Sequence, residues 1–317
     1  MCRLSIIVPI YNVEKYLHRC IESLIHQKVE GYEILLVNDG AKDESPTIAE
    51  EYSKEYPYIR TIHQENKGLS GARNTGLIHA RGKYVMFIDS DDWILENSVG
   101  TILEQAENCE LDVGVADFQF VNENGEIKEN EDPPFHSDEV ITGGEYLKES
   151  LKSSITMMVW KSIYGRKFLI ENNLFFREGF NHEDEEWMPR VYLAAKRVKD
   201  ISEVFYCYFI HTDCISKNPK VFTKNSFDLI ENCYVLKKTS MGIVDKDLKQ
   251  LLQNRIVQLY LSAFYKGKLL GKKYSHRVNK NFFTGLYFDG KTKQKVALFK
   301  INKYLYYYVN RITKHFF

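Results

Sequence analysis

The chain has 317 residues, of which 44% are apolar and 27% charged; this is a globular composition, long enough to bury one large core or two. Its six cysteines (Cys2, Cys20, Cys109, Cys207, Cys214 and Cys233) are scattered without a Cys-x-x-Cys pair, which excludes a disulfide frame or zinc site and indicates reduced thiols in a cytosolic compartment. The zero net charge hides an asymmetry: residues 245–317 carry 16 basic and 3 acidic side chains, residues 1–244 carry 27 and 40, so the C-terminal part favours an anionic surface.

Leu4 to Ile10 reads as a buried first strand that Pro9 helps to end, with no charged and apolar secretory leader before it. Val13, Leu17, Cys20, Ile21 and Leu24 recur at helical spacing and predict a helix over 13–27. Tyr32 to Val37 is a second strand closed by Asn38-Asp39-Gly40, and Ser45-Pro46 has the form of an N-cap and first helical position for a helix to about Tyr56. A third strand is expected at 59–63. The segment Asn66 to Gly76 then opens a helix whose small Ala72 and Gly76 suit close packing on a sheet, with Gly82 as its stop.

Val85 to Ile88 is a short apolar run, as in a strand buried on both faces, and it leads into Asp89-Ser90-Asp91-Asp92. Two residues apart, Asp89 and Asp91 would project to one side of an extended chain, at the strand end where open α/β sheets bind ligands. Mg²⁺ or Mn²⁺ suits such carboxylates, because hard cations complete their shell with phosphate oxygens. The competing reading is an ordinary solvated turn. Trp93 and Ile94 exclude an EF-hand loop, and no Gly-x-Gly-x-x-Gly follows the first strand, which argues against a dinucleotide enzyme.

A helix is expected at 94–109, a strand at 112–121, a polar surface excursion at 122–138, and helices at 144–153 and 160–172. Glu183, Asp184, Glu185 and Glu186 precede Pro189, which is best tolerated in a first turn, so the carboxylates should cluster at a helix N-terminus. A last strand at 204–210 is followed by basic, helical sequence beyond 221. Alternating strands and helices predict an α/β protein with a mainly parallel central sheet flanked by helices, and a basic, mostly helical C-terminal region.

Ile6-Ile7-Val8-Pro9-Ile10-Tyr11-Asn12, Val37-Asn38-Asp39-Gly40, Asn66 to Asn74 and Asp89-Ser90-Asp91-Asp92 resemble, in order, the signatures of family 2 glycosyltransferases, the large inverting group with the GT-A fold. The resemblance is close over the first 110 residues and looser to about 218. It implies a catalytic domain over 1–220, with a nucleotide-sugar half (1–110) and an acceptor half (111–220), followed by region 221–317. It also implies a UDP-sugar donor: Pro9 and Tyr11 would wall the uracil and Asp39 would bond its ring. Lys67, Gly68, Ala72 and Arg73 would line the nucleoside and phosphate pocket, Asp89 and Ser90 would sit at the ribose side, and Asp91 would carry Mn²⁺ or Mg²⁺. Each also has an ordinary alternative: Tyr11 packing, Asp39 serving its own turn, Arg73 in a surface ion pair. The family's Glu-Asp pair matches Glu183-Asp184, making Asp184 the base that deprotonates the acceptor hydroxyl, with Glu185 the fallback and an acidic helix cap the competing reading. Where relatives carry an Arg and then Ser-Ile-Ser, this chain has His211 and Cys214-Ile215-Ser216, which puts diphosphate contacts there in doubt. Trp160 fits an acceptor-pocket floor or an ordinary core position.

Gly285 to Thr292 satisfies the P-loop expression, but no strand is expected before it and only 25 residues follow, so it is a chance match. In 296–317, Leu298, Ile301, Leu305, Tyr308, Ile312 and Phe316 share one helical face opposite Lys300, Lys303, Arg311 and Lys314. Such a helix can lie on an anionic membrane surface or dock on protein; its longest uncharged run, Tyr304 to Asn310, is far short of the roughly 20 residues that span a bilayer. No recognised nucleic-acid module accompanies the basic residues. Together these features predict a metal-dependent transferase acting on a glycan or lipid-linked acceptor in cell-surface polysaccharide synthesis, peripheral on the inner face of the cell membrane. The alternative is a non-catalytic membrane-surface scaffold retaining the fold.

Overall fold

The first strand, β1 (Leu4–Ile10), is buried along its whole length, in keeping with its largely apolar run. A computed structural model, which describes residues 2–129, 139–153, 155, 157–211 and 222–313, places it between two parallel neighbours. After it come α1 (Glu14–Ile25), β2 (Tyr32–Asn38), α2 (Ser45–Glu55), β3 (Ile59–His63), α3 (Gly68–His79), β4 (Tyr84–Phe87), β5 (Trp93–Ile94) and α4 (Val99–Asn108). The chain continues through β6 (Val113–Asn122), β7 (Ile127–Glu129), α5 (Gly143–Ser153), β8 (Ser162–Gly165), α6 (Arg166–Glu171), α7 (Glu183–Ala194) and β9 (Val198–Ile210). The helices α8 (Phe222–Met241), α9 (Lys246–Lys266), α10 (Gly290–Ile301) and α11 (Lys303–Thr313) complete it.

Among the described residues the strands form one sheet, ordered β3-β2-β1-β4-β8-β6-β9-β5, with β7 on β6. The expected α/β class is present, and β3, β2, β1 and β4 are parallel throughout. Beyond β4 the sheet is mixed: β8 runs antiparallel to β4 and β6, and only β6–β9 returns to parallel pairing. Pro9 does not end β1. It ends one of its two ladders: pairing with β4 stops at Ile7↔Phe87, whereas pairing with β2 runs on to Ile10↔Asn38. A residue without an N–H is tolerated where the neighbour has already left the sheet.

Helix α3 lies tight on β1. A Cβ at Gly76 would meet Ile7 Cγ2 at 2.2 Å, so close packing at this position is real. Gly82 is not the helix stop, because α3 ends at His79; its role is to let the chain pass the β1 backbone, where a Cβ would lie 2.5 Å from the Ser5 nitrogen. Ser45 does not cap α2 either, since its Oγ accepts the Val13 N–H at 3.0 Å and ties the α1 entry to α2.

Other sequence expectations need correction. The helix expected from Ile94 begins only at Val99, because Trp93 and Ile94 pair with β9. The excursion after Asn122 turns back at Gly125 (φ +78°) and makes the short strand β7. The helix expected over 160–172 is a 3-10 turn, strand β8 and the short α6. Pro189 lies inside α7 rather than in its first turn, although Glu183 to Glu186 do occupy that turn.

The described chain forms two compact units, one from residues 1–150, 154–179 and 190–211, the other from 151–153, 180–189 and 212–317. The first is the sheet with its helices. In the second, α8 packs on α9 around an aromatic core: Tyr260 stacks on Phe282 (4.0 Å between centroids) and meets Phe283 edge-on, while Phe264 meets Phe299 at 5.0 Å. The single helix expected over 296–317 is broken at Asn302, whose Oδ1 accepts the Tyr304 N–H and starts α11. Within the P-loop-like sequence, Asp289 caps α10 by accepting the Thr292 N–H at 2.7 Å. A 3-10 turn, not a strand, precedes it, so the match is accidental.

Candidate active site

The chain leaves β1 and β2 side by side, at Tyr11 and Asp39. Pro9 is buried in β1 and the Tyr11 ring is about half exposed. Asp39 is buried, and its Oδ1 accepts from Gln64 Nε2 at 2.6 Å and from the Lys67 N–H at 2.8 Å. The carboxylate thus fixes the loop that enters α3. Its own turn is served by the neighbouring residue, Asn38, whose Oδ1 accepts the Ala41 N–H, and by Gly40 at φ +72°. Lys67 leaves its side chain in solvent; Gly68, at φ +75°, begins α3 in a conformation that glycine adopts without strain.

Ala72 and Arg73 are buried on α3, and Arg73 is only 1% exposed. Its Nη2 donates to Asp89 Oδ1 at 2.7 Å and its guanidinium lies over the Phe176 ring, so this is no surface ion pair. A charge-assisted bond from a buried guanidinium fixes a carboxylate more firmly than a solvated pair does. The loop carrying Phe176 is itself tied to α3 by Asn74, which accepts the Phe176 N–H at 2.8 Å and donates to its carbonyl at 2.9 Å.

The acidic cluster is a turn beyond β4, closed by the Asp92 N–H on the Asp89 carbonyl at 3.1 Å. Extended-chain alternation therefore does not place Asp89 and Asp91 together, and each acid has its own surroundings. Asp89 is held by Arg73, and the adjacent Ser90 is buried. Asp92 is buried and accepts from the Tyr206 hydroxyl at 2.6 Å and from the Phe209 N–H at 2.7 Å. Burial pushes its carboxyl well above the usual carboxylate range, and the neighbouring Asp91 and Asp89 charges add to this. Asp91 keeps an open side chain, 34% exposed, with Oδ2 3.1 Å from His211 Nε2.

Several residues that sequence reasoning passed over support this turn. Tyr16 and Arg19, three apart on α1, reach it together. The Tyr16 hydroxyl lies 3.1 Å from His211 Nδ1, and the buried imidazole stacks on Phe209. Arg19 donates to the Asp91 carbonyl at 2.9 Å, its guanidinium 3.9 Å from the Trp93 ring centre and 4.1 Å from that of Phe209. Such cation–π contacts hold in place an arginine whose pKa burial lowers. The three-residue spacing was a legible signal; the aromatic partners come from β5 and β9 and were not. Trp160 is buried, stacked on Tyr206 at 4.3 Å, and so supports the ring that binds Asp92.

Among the described residues, no three His, Cys, Asp or Glu side chains gather into a cage able to hold a metal alone. The donor set fits a different type of cation: Mg²⁺ and Mn²⁺ at nucleotide sites take one or two carboxylates and fill their shell from phosphate and water. Asp91 offers such a carboxylate; Asp89 and Asp92 are engaged by Arg73 and by Tyr206 and Phe209.

In the second unit, Asp184 lies partly exposed in the first turn of α7, where the helix dipole favours a negative charge. Glu185, the fallback, is engaged by Arg255, whose Nη2 lies 2.9 and 3.3 Å from its two oxygens. Cys214-Ile215-Ser216 lies outside the described residues.

The model of the family "Glycosyl transferase family 2" matches residues 5–174. The "Uncharacterized glycosyltransferase YibD" of Escherichia coli is 36% identical over 227 residues, covering 70% of this chain and 66% of the relative. EpsJ of Bacillus subtilis, likewise described as an uncharacterized glycosyltransferase, is 36% identical over 219 residues, 68% of this chain and 63% of its own length. The chain thus spans just under two thirds of these relatives. Residues 1–349 of Staphylococcus aureus TarS, solved with UDP-GlcNAc, superpose with a TM-score of 0.71 over 99% of this chain and 91% of that one, at 19% identity. The mannosyltransferase PcManGT of Pyrobaculum calidifontis, solved with GDP-Man and Mn²⁺, gives 0.57 over 95% and 87%, at 14% identity. These structures share the sheet and its helices, and with the family match over more than half the chain they establish that this protein belongs to glycosyltransferase family 2, with a GT-A fold.

Proposed function

We propose that the chain is an inverting, metal-dependent hexosyltransferase that moves a sugar from a UDP donor to a hydroxyl of a glycan or lipid-linked acceptor in cell-surface polysaccharide synthesis. The observation that carries this reading is the open Asp91 carboxylate at the sheet's carboxyl edge, in a turn braced by Arg19, His211 and Tyr206. Pro9 and Tyr11 wall the uracil, Asp39 and the Lys67–Gly68 loop it anchors complete the nucleoside pocket, and Ala72 leaves room beside Arg73. Arg73 orients Asp89, with Ser90 next to it, toward the ribose. Asp91 would hold Mn²⁺ or Mg²⁺, which supplies positive charge to the diphosphate as UDP departs. Asp184 accepts the acceptor's hydroxyl proton while that oxygen attacks the anomeric carbon from the side opposite UDP, so configuration inverts. UDP release from a panel of UDP-sugars with Mn²⁺ tests this. Turnover lost in both Asp91→Ala and Asp184→Ala supports the enzyme; no turnover with any donor favours the scaffold.

The C-terminal helices favour an anionic membrane surface as the place of action. Val296, Phe299 and Tyr306 are buried in the second unit, but Ile301 is 79% and Ile312 67% exposed, with Tyr304, Leu305 and Tyr308 also in solvent beside Lys300 and Arg311. Basic residues near an anionic leaflet contribute about 1 kcal/mol each, and apolar side chains add their burial. No described helix is long and apolar enough to cross a membrane. Deleting 296–317 would strip buried side chains from the core, so the sharper test is Ile301→Glu with Ile312→Glu. Binding to phosphatidylglycerol vesicles should fall at least about tenfold, since two buried isoleucines are worth several kcal/mol; unchanged binding would assign this face to protein.

A further inference from the structure

The segment that carries the Glu-Asp pair is gripped by the C-terminal part of its own unit. Asn232 of α8, 1% exposed, donates from Nδ2 to the backbone carbonyls of Asn181 (3.1 Å) and His182 (3.0 Å), the last two residues before α7. Asp228, one turn earlier and also buried, accepts the Asn181 N–H at 3.3 Å and is held by Lys224 Nζ at 2.6 Å. Asn225 accepts from the Asn181 side chain at 2.8 Å. Residues 225, 228 and 232 share one face of α8, so a single helix face holds the N–H, the side chain and the carbonyl of Asn181, and the carbonyl of His182 after it. His182 is bent to φ +59°, a left-handed conformation that a non-glycine residue keeps only when its surroundings impose it.

This grip sets where α7 begins, and the starting residue decides which first-turn carboxylate points which way. Slipping the helix by one residue rotates every side chain by about 100°. Arg255 of α9 holds Glu185 at the next position, a second constraint on the same rotation. We propose that Asn232 and Asp228 are positioning residues for the transfer step: they fix the entry turn of α7 so that Asp184, and not Glu185, meets the acceptor hydroxyl. This rests on the reading of Asp184 as the base. It makes the basic C-terminal helices part of the catalytic machinery, because without α8 the base has no fixed direction.

The test uses the full chain, UDP-sugars with octyl glycosides as acceptors, and calorimetric titration of UDP with Mn²⁺. Asn232→Ala takes this donor away from the Asn181 and His182 carbonyls. It should lower kcat by on the order of 100-fold, the scale of a small displacement at a reacting group, while KM for the donor and UDP affinity stay within about twofold. Asp228→Asn keeps the volume and an acceptor oxygen but loses the charge, and should lower kcat several-fold with the same unchanged UDP affinity; it decides the matter if Asn232→Ala does not fold. A normal kcat in a folded variant, or UDP affinity falling in step with kcat, overturns the positioning role. Asp184→Asn separates the two levels. If it abolishes transfer while Asn232→Ala and Asp228→Asn are normal, positioning alone is wrong; if it transfers normally, the base assignment fails and the proposal with it.

Discussion

The contact between α3 and the sheet can be tested at one methyl group. In Gly76→Ala the new Cβ would lie 2.2 Å from Ile7 Cγ2, 3.1 Å from Cγ1 and 3.2 Å from Ile7 Cβ. Carbon atoms attract at about 3.5–4.0 Å, so helix and strand must part by roughly 1 Å or more. Ile7 cannot retreat, because β1 is hydrogen-bonded to β2 on one side and β4 on the other. At an exposed helical site the same change would stabilise by about 1 kcal/mol. Overpacking costs about 1–3 kcal/mol, and against a wall this rigid the upper end applies, leaving a net loss of about 2 kcal/mol. Because α3 also carries Arg73, the displacement should loosen the 2.7 Å bond to Asp89 and reduce UDP affinity. Urea unfolding of the wild type, Gly76→Ala, Ile7→Ala and the double variant measures the coupling. Ile7→Ala removes both colliding γ carbons, so the cycle should return a favourable coupling of at least about 1 kcal/mol. If Gly76→Ala instead stabilises the protein and shows no coupling, the close-packing argument is wrong.

Two further outcomes follow from the electrostatics. Tyr206→Phe removes the hydroxyl that donates to Asp92 and accepts the Asp89 N–H, so Asp92 Oδ2 loses this buried hydrogen bond and the Asp89 N–H loses this acceptor. It should cost about 1–3 kcal/mol in denaturant unfolding and weaken Mn²⁺-dependent UDP binding. The Arg3 side chain holds the Glu107 carboxyl below its usual range. A depressed acid contributes stability above its unfolded-state pKa and loses it as pH falls through the folded value. Arg3→Gln should therefore be less stable by under about 1 kcal/mol at pH 7, both groups being partly exposed, and the difference should shrink as pH falls below the usual carboxylate range. A deficit that persists at low pH would assign Arg3 a packing role.

The first part of the chain was legible because its elements follow period and punctuation closely. Leu4 to Ile10 and Tyr32 to Asn38 are mostly apolar runs, and α1 buries the face marked by Leu17, Cys20, Ile21 and Leu24. The second half mixes strand directions, and there period failed. β8 is four residues between a 3-10 turn and a short helix, so the sequence around Trp160 reads as one continuous helix. The tail's apolar stripe ignores the break that Asn302 imposes through its side-chain cap. At the site, the acids were visible as a cluster, but their division of labour was not. Whether an aspartate is buried, paired or open depends on Arg73, Tyr206 and His211, which arrive from α3, the C-terminal part of β9 and the residue just after it, and local spacing carries no trace of them.

The central claim concerns Asp91 and a divalent cation. Crystals grown with UDP and Mn²⁺ and measured at the manganese absorption edge would locate the metal directly. The account predicts an anomalous peak bonded to an Asp91 carboxylate oxygen and to diphosphate oxygens. UDP bound elsewhere, or manganese without Asp91 in its shell, would contradict it.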